Sequence, residues 1–539
     1  MYGSITLENR FGVNKMELIS LKYAIFVIVL LVLYYCFPKK YRWYVLLAGS
    51  MAYYVIICKW YVLFIIFTIC TTYGSTIWID KLLKKQNAVV KSHKEDWDRQ
   101  TRKEYKEKGR KKRVAVMLFA LLCNFGILAF LKYIPYAGEL GLLLPLGISF
   151  YTFQSMGYVM DVYREIVEPE KNFFKVALFV SFFPQIIQGP IAIYDKLAGQ
   201  LYEGHSLRLE NLQKGALLVL WGVMKKLVIA DRAVNIINFV MDKPMDFSGT
   251  YVFFAAVVYA LQLYADFSGG IDIVRGIAEM FGITMSTNFN HPYFSRSLTE
   301  YWHRWHMTLG DWCRNYIFYP LSISKRFLNF GKWLKPRFGA HISKVLPGCI
   351  ASVITFIVIG VWHGANMKYL YFGLWNGIVI MLAELFAPVN KKVAGGFFKL
   401  TGLREKGIFA TIVSVFWTFM LILVGYYFDI AANASTAFHM LFKSVTDFHI
   451  SELGINNIIL NLGACGLDEY DILLLIICTL LWFFISFVEE NKKLDMRDFI
   501  LSRKLPLRWA IIYLGIFIVI IFGYYGPGVN PADFVYMQF

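Results

Sequence analysis

One histidine stands where a chain of this composition has least reason to hold it. The run from Ile350 to Val361 is almost wholly apolar and leads straight into Trp362-His363-Gly364-Ala365-Asn366, after which a second mostly apolar run extends from Tyr369 to Phe386. Removing an ionisable side chain from water between two hydrophobic arms is expensive, so such a residue points to function first. Histidine exchanges protons near neutral pH, and an apolar setting favours the neutral ring that can act as a base. His363 is therefore the leading candidate for a catalytic base. Gly364 beside it would let a backbone or an acyl chain approach the ring closely. A structural histidine bonded to a neighbouring helix remains the competing account on position alone.

A second constellation is Glu300-Tyr301-Trp302-His303-Arg304-Trp305-His306, in which His303 and His306, three residues apart, would share a helical face. Paired histidines invite a metal, yet no carboxylate-histidine pattern such as H-E-x-x-H completes a zinc site, so no metal is expected. His306 could orient a substrate or assist His363, while Trp302 and Trp305 would supply amphipathic walls. Histidines satisfied within helix packing are the alternative.

These side chains need elements to hold them, and composition says which kind. Hydrophobic residues make up 58% of the 539 and mean hydropathy is +0.51, whereas soluble chains run at roughly 45–50% apolar. The expectation is an all-α, polytopic integral membrane helical bundle, not a soluble or nucleic-acid-binding protein. The net charge of +18 concentrates in loops. Lys/Arg far exceed Asp/Glu between Lys81 and Arg113, and Lys325 to Lys344 holds no acidic residue, which places both loops, with Val389 to Lys406, on the cytoplasmic side. The basic 81–113 run reads as a solvated loop before it reads as a site for anionic lipid or cofactor phosphate. The stretch from Asp429 to Asp471, with Lys443 as its only Lys or Arg, belongs outside. The eight cysteines have no C-x-x-C spacing and suggest neither zinc nor a disulfide framework.

Apolar runs predict spans at about 21–37, 43–58, 60–80, 114–132, 139–160, 173–190, 213–230, 249–265, 345–362, 369–386, 408–428, 471–488 and 508–525. Residues 1–20 then form an extracytoplasmic leader, 21–390 a core of about ten spans, and 391–539 the C-terminal spans with an external loop near 429–471. Pairing the 325–344 and 389–406 loops makes 345–386 a hairpin with His363 near its turn. From Tyr264 to Tyr319, Asp266, Asp272, Arg275, Glu279, Arg296, Glu300, Arg304 and Asp311 interrupt apolar helical sequence. Such a segment must be buried in protein, line a watery cavity or lie at the interface. Ser297 to Tyr319 reads as one amphipathic embedded helix, with Ser297 and Glu300 forming a capping box after a break at Asn290, Pro292 and Ser295.

The strings Leu144-Pro145-Leu146-Gly147-Ile148-Ser149-Phe150-Tyr151-Thr152-Phe153-Gln154, Phe182-Phe183-Pro184-Gln185 with Gly189-Pro190, Asp266-Phe267-Ser268-Gly269, Trp305-His306 and Trp362-His363-Gly364-Ala365 come in an order that resembles the membrane-bound O-acyltransferases (MBOAT family). Within these the chain is most similar to the AlgI-like branch named for alginate O-acetylation. The ending Phe534-Val535-Tyr536-Met537-Gln538-Phe539 is similar to that branch's aromatic terminus. The resemblance implies broken or re-entrant helices around a central tunnel, His363 as principal catalytic histidine and His306 as its second. His303 stands where related sequences usually have Arg or Asn, and Asn376 replaces a frequent histidine, so neither is carried over; His291 is another variable position. Asp161-Val162-Tyr163-Arg164 and Asp266 match motif positions, but helix-end pairing is preferred to substrate contact. Gln154, Gln185 and Gln188 could line a tunnel or join helices.

The implied chemistry is acyl transfer from a thioester to a hydroxyl, with His363 taking the hydroxyl proton and His306 positioning the thioester or helping to hold the oxyanion. No cofactor is expected to be bound permanently. Acetyl-CoA is the expected cytoplasmic donor, and an extracytoplasmic acetyltransferase or polysaccharide the expected partner, at a bacterial plasma membrane. Two alternatives remain: D-alanyl transfer to teichoic acid from an acyl carrier protein, and a transporter, whose inverted repeats are not visible. The topology is testable at Cys465, in the segment placed outside. A membrane-impermeant thiol reagent added to cells with a permeabilised wall should label it, and Cys465→Ser should remove most of the label. Labelling only after the cytoplasmic face is opened inverts the topology.

Overall fold

Glycines and buried charges, more than apolar content, set the architecture. The computed structural model describes residues 18–401, 404, 407–454, 457, 465–526 and 534. Residues 1–17 of the expected leader, most of 455–464 in the expected external loop, and all of the aromatic ending except Phe534 lie outside the described residues. Among the described residues the chain is all-α, without strands. Seven helices among the described residues are long and apolar enough to cross a membrane, or eight if Met367–Leu385 and Ala387–Thr401, bent by 66° at their junction, make one span. The chain is a multi-pass membrane protein. It divides into two compact units, 1–219 with 271–286, and 220–270 with 287–539.

In the first unit Leu21–Cys36, Arg42–Cys58, Val62–Ser92 and Arg99–Tyr133 are followed by shorter helices that depart from the predicted spans. The stretch 139–160 is not one helix. It starts only at Ile148, after Gly147 turns the chain in the left-handed region (φ 70°), and a Cβ at that position would strike the backbone of Ile186. The stretch 173–190 breaks at Phe182 into Phe173–Ser181 and Phe183–Gln188. The glutamines join these pieces: Gln185 donates to Gln154, and Gln154 donates to the Phe179 carbonyl. Two of the three glutamines thus act as interhelical hydrogen-bonding groups.

In the second unit the predicted span 213–230 ends in a wide π turn, Lys225–Ala230, whose lysines are buried. Lys226 Nζ lies 2.7 Å from both Asp231 and Asp266 and 4.5 Å from the Phe534 ring centroid, while Lys225 donates to Ser268 at 2.8 Å. Asp266 is thus a counter-ion to Lys226 from the middle of Gly249–Met280, not the helix-end pairing expected from sequence. A buried charge of this kind is tolerable only with its partners in place.

Glycines line the hairpin that carries His363. Lys325–His363 and Met367–Leu385 lie against each other at Gly360, Gly373 and Gly377; a Cβ on these would meet the Tyr369 carbonyl, the Phe356 carbonyl and Val353 Cα respectively. Small residues allow such backbone approach where lipid supplies no hydrophobic drive between helices. Residues 325–344, expected as a loop, are helical, with a kink at Gly339 (φ 80°). Gly373→Val should force the pair apart at a cost of about 1–3 kcal/mol. The expected result is a lower thermal midpoint in detergent than for Gly126→Val, where a Cβ meets only open space.

Candidate functional site

The predicted single helix 297–319 is broken at the histidine of interest. Leu298–Arg304 begins as expected, with Ser297 Oγ accepting from the Glu300 amide at 3.1 Å; the carboxylate of Glu300, however, accepts from Arg296 N, one residue before the cap. The helix ends at Trp305, His306 adopts the left-handed region (φ 43°, ψ 51°), and Met307–Cys313 starts in a new direction. Left-handed backbone is uncommon for a residue with a Cβ and persists only where surroundings enforce it. Here Asn288 O accepts from Met307 N at 2.9 Å and Asn290 N donates to Arg304 O at 3.0 Å, so an extended segment satisfies the main chain at the break. His303 and His306 therefore do not share a helical face. They open into different cavities.

His306 is almost fully buried. Its Nδ1 lies 3.2 Å from Asn288 Oδ1, which also accepts from the Thr308 amide at 3.1 Å and the Thr308 hydroxyl at 2.9 Å, and the edge of the Phe267 ring meets it at a centroid distance of 4.9 Å. His363 is the last residue of its helix and half-buried, with Tyr369 stacked on its ring at 6.0 Å and Phe372 edge-on at 5.5 Å. Gly364 makes the room anticipated for it, but the group that uses the space is the Tyr369 ring.

His306 and His363 line one small cavity, about 20 Å3, with Trp302, Trp305, Phe372 and Tyr426. That is room for roughly one water or methyl group. The walls are tied polar to polar: Tyr426 bonds Tyr301 at 2.7 Å and Tyr293 at 3.1 Å, and Trp302 Nε1 donates to Asn376 Oδ1 at 3.0 Å. Asn376, not carried over as a site residue from sequence, is thus a clamp on a wall. Trp302 also lines a second, far larger cavity of about 730 Å3, which has His303, Arg314, Lys344 and Glu384 on its surface.

Sequence reasoning missed Asn288 and Asp429. The first stands just before the break read at Asn290, Pro292 and Ser295, and its burial is visible only in the structure. Asp429, read as the start of an acidic loop, also lines the small cavity, where it accepts from the Tyr259 hydroxyl at 2.7 Å. Lys368 caps the carbonyls of Asp429 and Ala431 at 2.7 and 2.8 Å.

Comparison with known proteins finds relatives along part of the chain. A sequence profile of the membrane-bound O-acyltransferase family matches residues 169–335, a stretch that contains His306 and stops short of His363. A probable alginate O-acetylase AlgI of Pseudomonas syringae pv. tomato is 30% identical over 315 residues, 58% of this chain and 54% of that protein. A peptidoglycan O-acetyltransferase of Helicobacter pylori is 29% identical, covering 51% and 56%. A teichoic acid D-alanyltransferase of Bacillus subtilis is 26% identical, covering 52% and 67%. The matched stretch thus spans about half the length of the first two relatives.

Proposed function

We propose that this chain, which is similar to the membrane-bound O-acyltransferases and to their AlgI-like branch, is an O-acyltransferase that moves an acetyl group from a cytoplasmic thioester to a hydroxyl on the far side of the membrane. The observation that carries the reading is the meeting of His306 and His363 in one aromatic cavity, with Trp302 shared between it and a chamber large enough for a thioester arm. Arg314 and Lys344 on the chamber's surface suit the phosphates of acetyl-CoA, the proposed donor. The acceptor is an extracytoplasmic polysaccharide, reached directly or through a separate extracytoplasmic acetyltransferase, and the proposed location is the bacterial plasma membrane.

In the proposed reaction the hydroxyl oxygen attacks the thioester carbonyl while His363 takes its proton. The C–O bond forms, the C–S bond breaks, and the imidazolium returns the proton to the departing thiolate. General-base assistance of this kind contributes about 10²–10⁴-fold. Tyr369 stacks on the His363 ring and Phe372 meets it edge to face, contacts that keep the base oriented. The second reading is D-alanyl transfer from an acyl carrier protein, favoured by the larger share of the teichoic acid enzyme that the match covers.

His363→Ala should lower acyl transfer by about 10²–10⁴-fold in protein that remains folded and inserted, and His306→Ala should impair it severely. Near wild-type turnover in well-folded His363→Ala removes it as the base. In sealed inside-out vesicles, acetyl-CoA added to the medium should be consumed, whereas right-side-out vesicles should leave it untouched. Consumption only of a charged carrier protein selects the D-alanyl reading.

A further inference from the structure

The hydrogen bonds around His306 fix which of its nitrogens carries the proton. A backbone amide can only donate, so the Asn288 side-chain atom 3.1 Å from Thr308 N is the amide oxygen. That same oxygen lies 3.2 Å from His306 Nδ1. Two lone pairs facing each other there would repel, so Nδ1 carries the hydrogen. A neutral imidazole has one N–H, which leaves Nε2, on the opposite edge of the ring, with a lone pair. Asn288 cannot turn its amide around without taking the acceptor from Thr308, and its own main chain is held by Met307. Asn288 and His306 are 1% and 2% exposed, so no bulk water competes for these bonds. The perpendicular Phe267 ring restricts rotation of the imidazole.

We propose that Asn288 is a positioning residue, which locks His306 in the Nδ1–H tautomer so that Nε2 enters the reaction as a hydrogen-bond acceptor for the imidazolium that His363 becomes. The order is then Asn288 oxygen, His306, His363, acceptor hydroxyl. His306 keeps its proton throughout, and the only proton in motion passes from the hydroxyl to His363 and on to the thiolate. In this tautomer neutral His306 has no N–H to offer the cavity, so holding the oxyanion is not its task. The other ionisable groups facing this cavity are Asp429, Tyr301 and Tyr426, and Asp266, next to Phe267, is tied to Lys226. The catalytic role rests on the acyl-transfer reading; the tautomer does not.

Two measurements on the full chain in lipid vesicles separate these. With ¹⁵N-labelled histidine, and His306 identified by difference from His306→Gln, solid-state NMR should find Nδ1 protonated and Nε2 bare near pH 8. Asn288→Leu should convert the ring wholly or partly to Nε2–H. An Nε2–H ring in the wild type, or a tautomer indifferent to Asn288→Leu, overturns the proposal. For turnover of acetyl-CoA, Asn288→Leu should reduce kcat by about 10²-fold with little change in KM. Asn288→Asp keeps the acceptor and should restore most of the rate. Its carboxylate stabilises the His306 imidazolium, and only the neutral ring can accept, so the acid limb of the pH profile should move to higher pH. Thr308→Val, which removes a bond to the same oxygen without touching the ring, should stay within about threefold of wild type. A loss equal to that of Asn288→Leu, or an unmoved acid limb in Asn288→Asp, assigns Asn288 only to holding the break. A wild type that consumes neither acetyl-CoA nor a charged carrier defeats the acyl-transfer reading, while the tautomer still decides the positioning role.

Discussion

Main-chain hydrogen bonding at the His306 break governs the second unit. Away from water an unsatisfied N–H or C=O costs several kcal/mol, so a helix can be interrupted at membrane depth only where protein takes over its partners. The extended segment at 288–290 does this, accepting from Met307 and donating to Arg304. With those groups satisfied, His306 can occupy a left-handed conformation that a continuous helix forbids, and its ring leaves the face occupied by His303. The break is what turns two histidines at helical spacing into residues of two different cavities.

The walls around the site reuse the same rule for side chains. Tyrosines and a tryptophan bring large apolar faces with one polar atom each, and buried polar atoms must be paired. The Tyr426 hydroxyl bonds those of both Tyr301 and Tyr293, and Trp302 donates to Asn376. These bonds connect the broken helix to Met367–Leu385 and Ile408–Ile430, the elements that also border His363 and Asp429. The Lys226 cluster with Asp231 and Asp266 anchors the neighbouring helix in the same way, with ionic partners. Loss of any one partner leaves a charge or dipole stranded, so such networks favour a single arrangement.

Much of the fold was legible without coordinates because the signals were local. Apolar runs of span length announced a helical membrane protein, and the glycine-flanked turn between two such runs put His363 at the tip of a hairpin. The N-cap at Ser297 was readable from spacing, although Glu300 turned to Arg296 rather than completing the box. The runs at 139–160 and 173–190 misled because hydropathy is indifferent to a left-handed glycine or to a bend at Phe182 that only buried packing can satisfy. Basic residues 325–344, assigned to a loop by their charge, continue the helix as far as the Gly339 kink and beyond it.

The sequence by itself determined the membrane class and singled out the two histidines as candidates, since composition, hydropathy and motif order depend on neighbours along the chain. Only the tertiary structure decided that His306 sits at a strained break, that His303 faces elsewhere, and that Asn288 and Asp429 belong with the site. Those facts depend on partners far apart in sequence: Asn288 lies 18 residues from His306, and Tyr259 lies 170 from Asp429. Hydrogen bonds over such separations are set by packing in three dimensions, and no local pattern of residue types encodes which buried donor meets which acceptor.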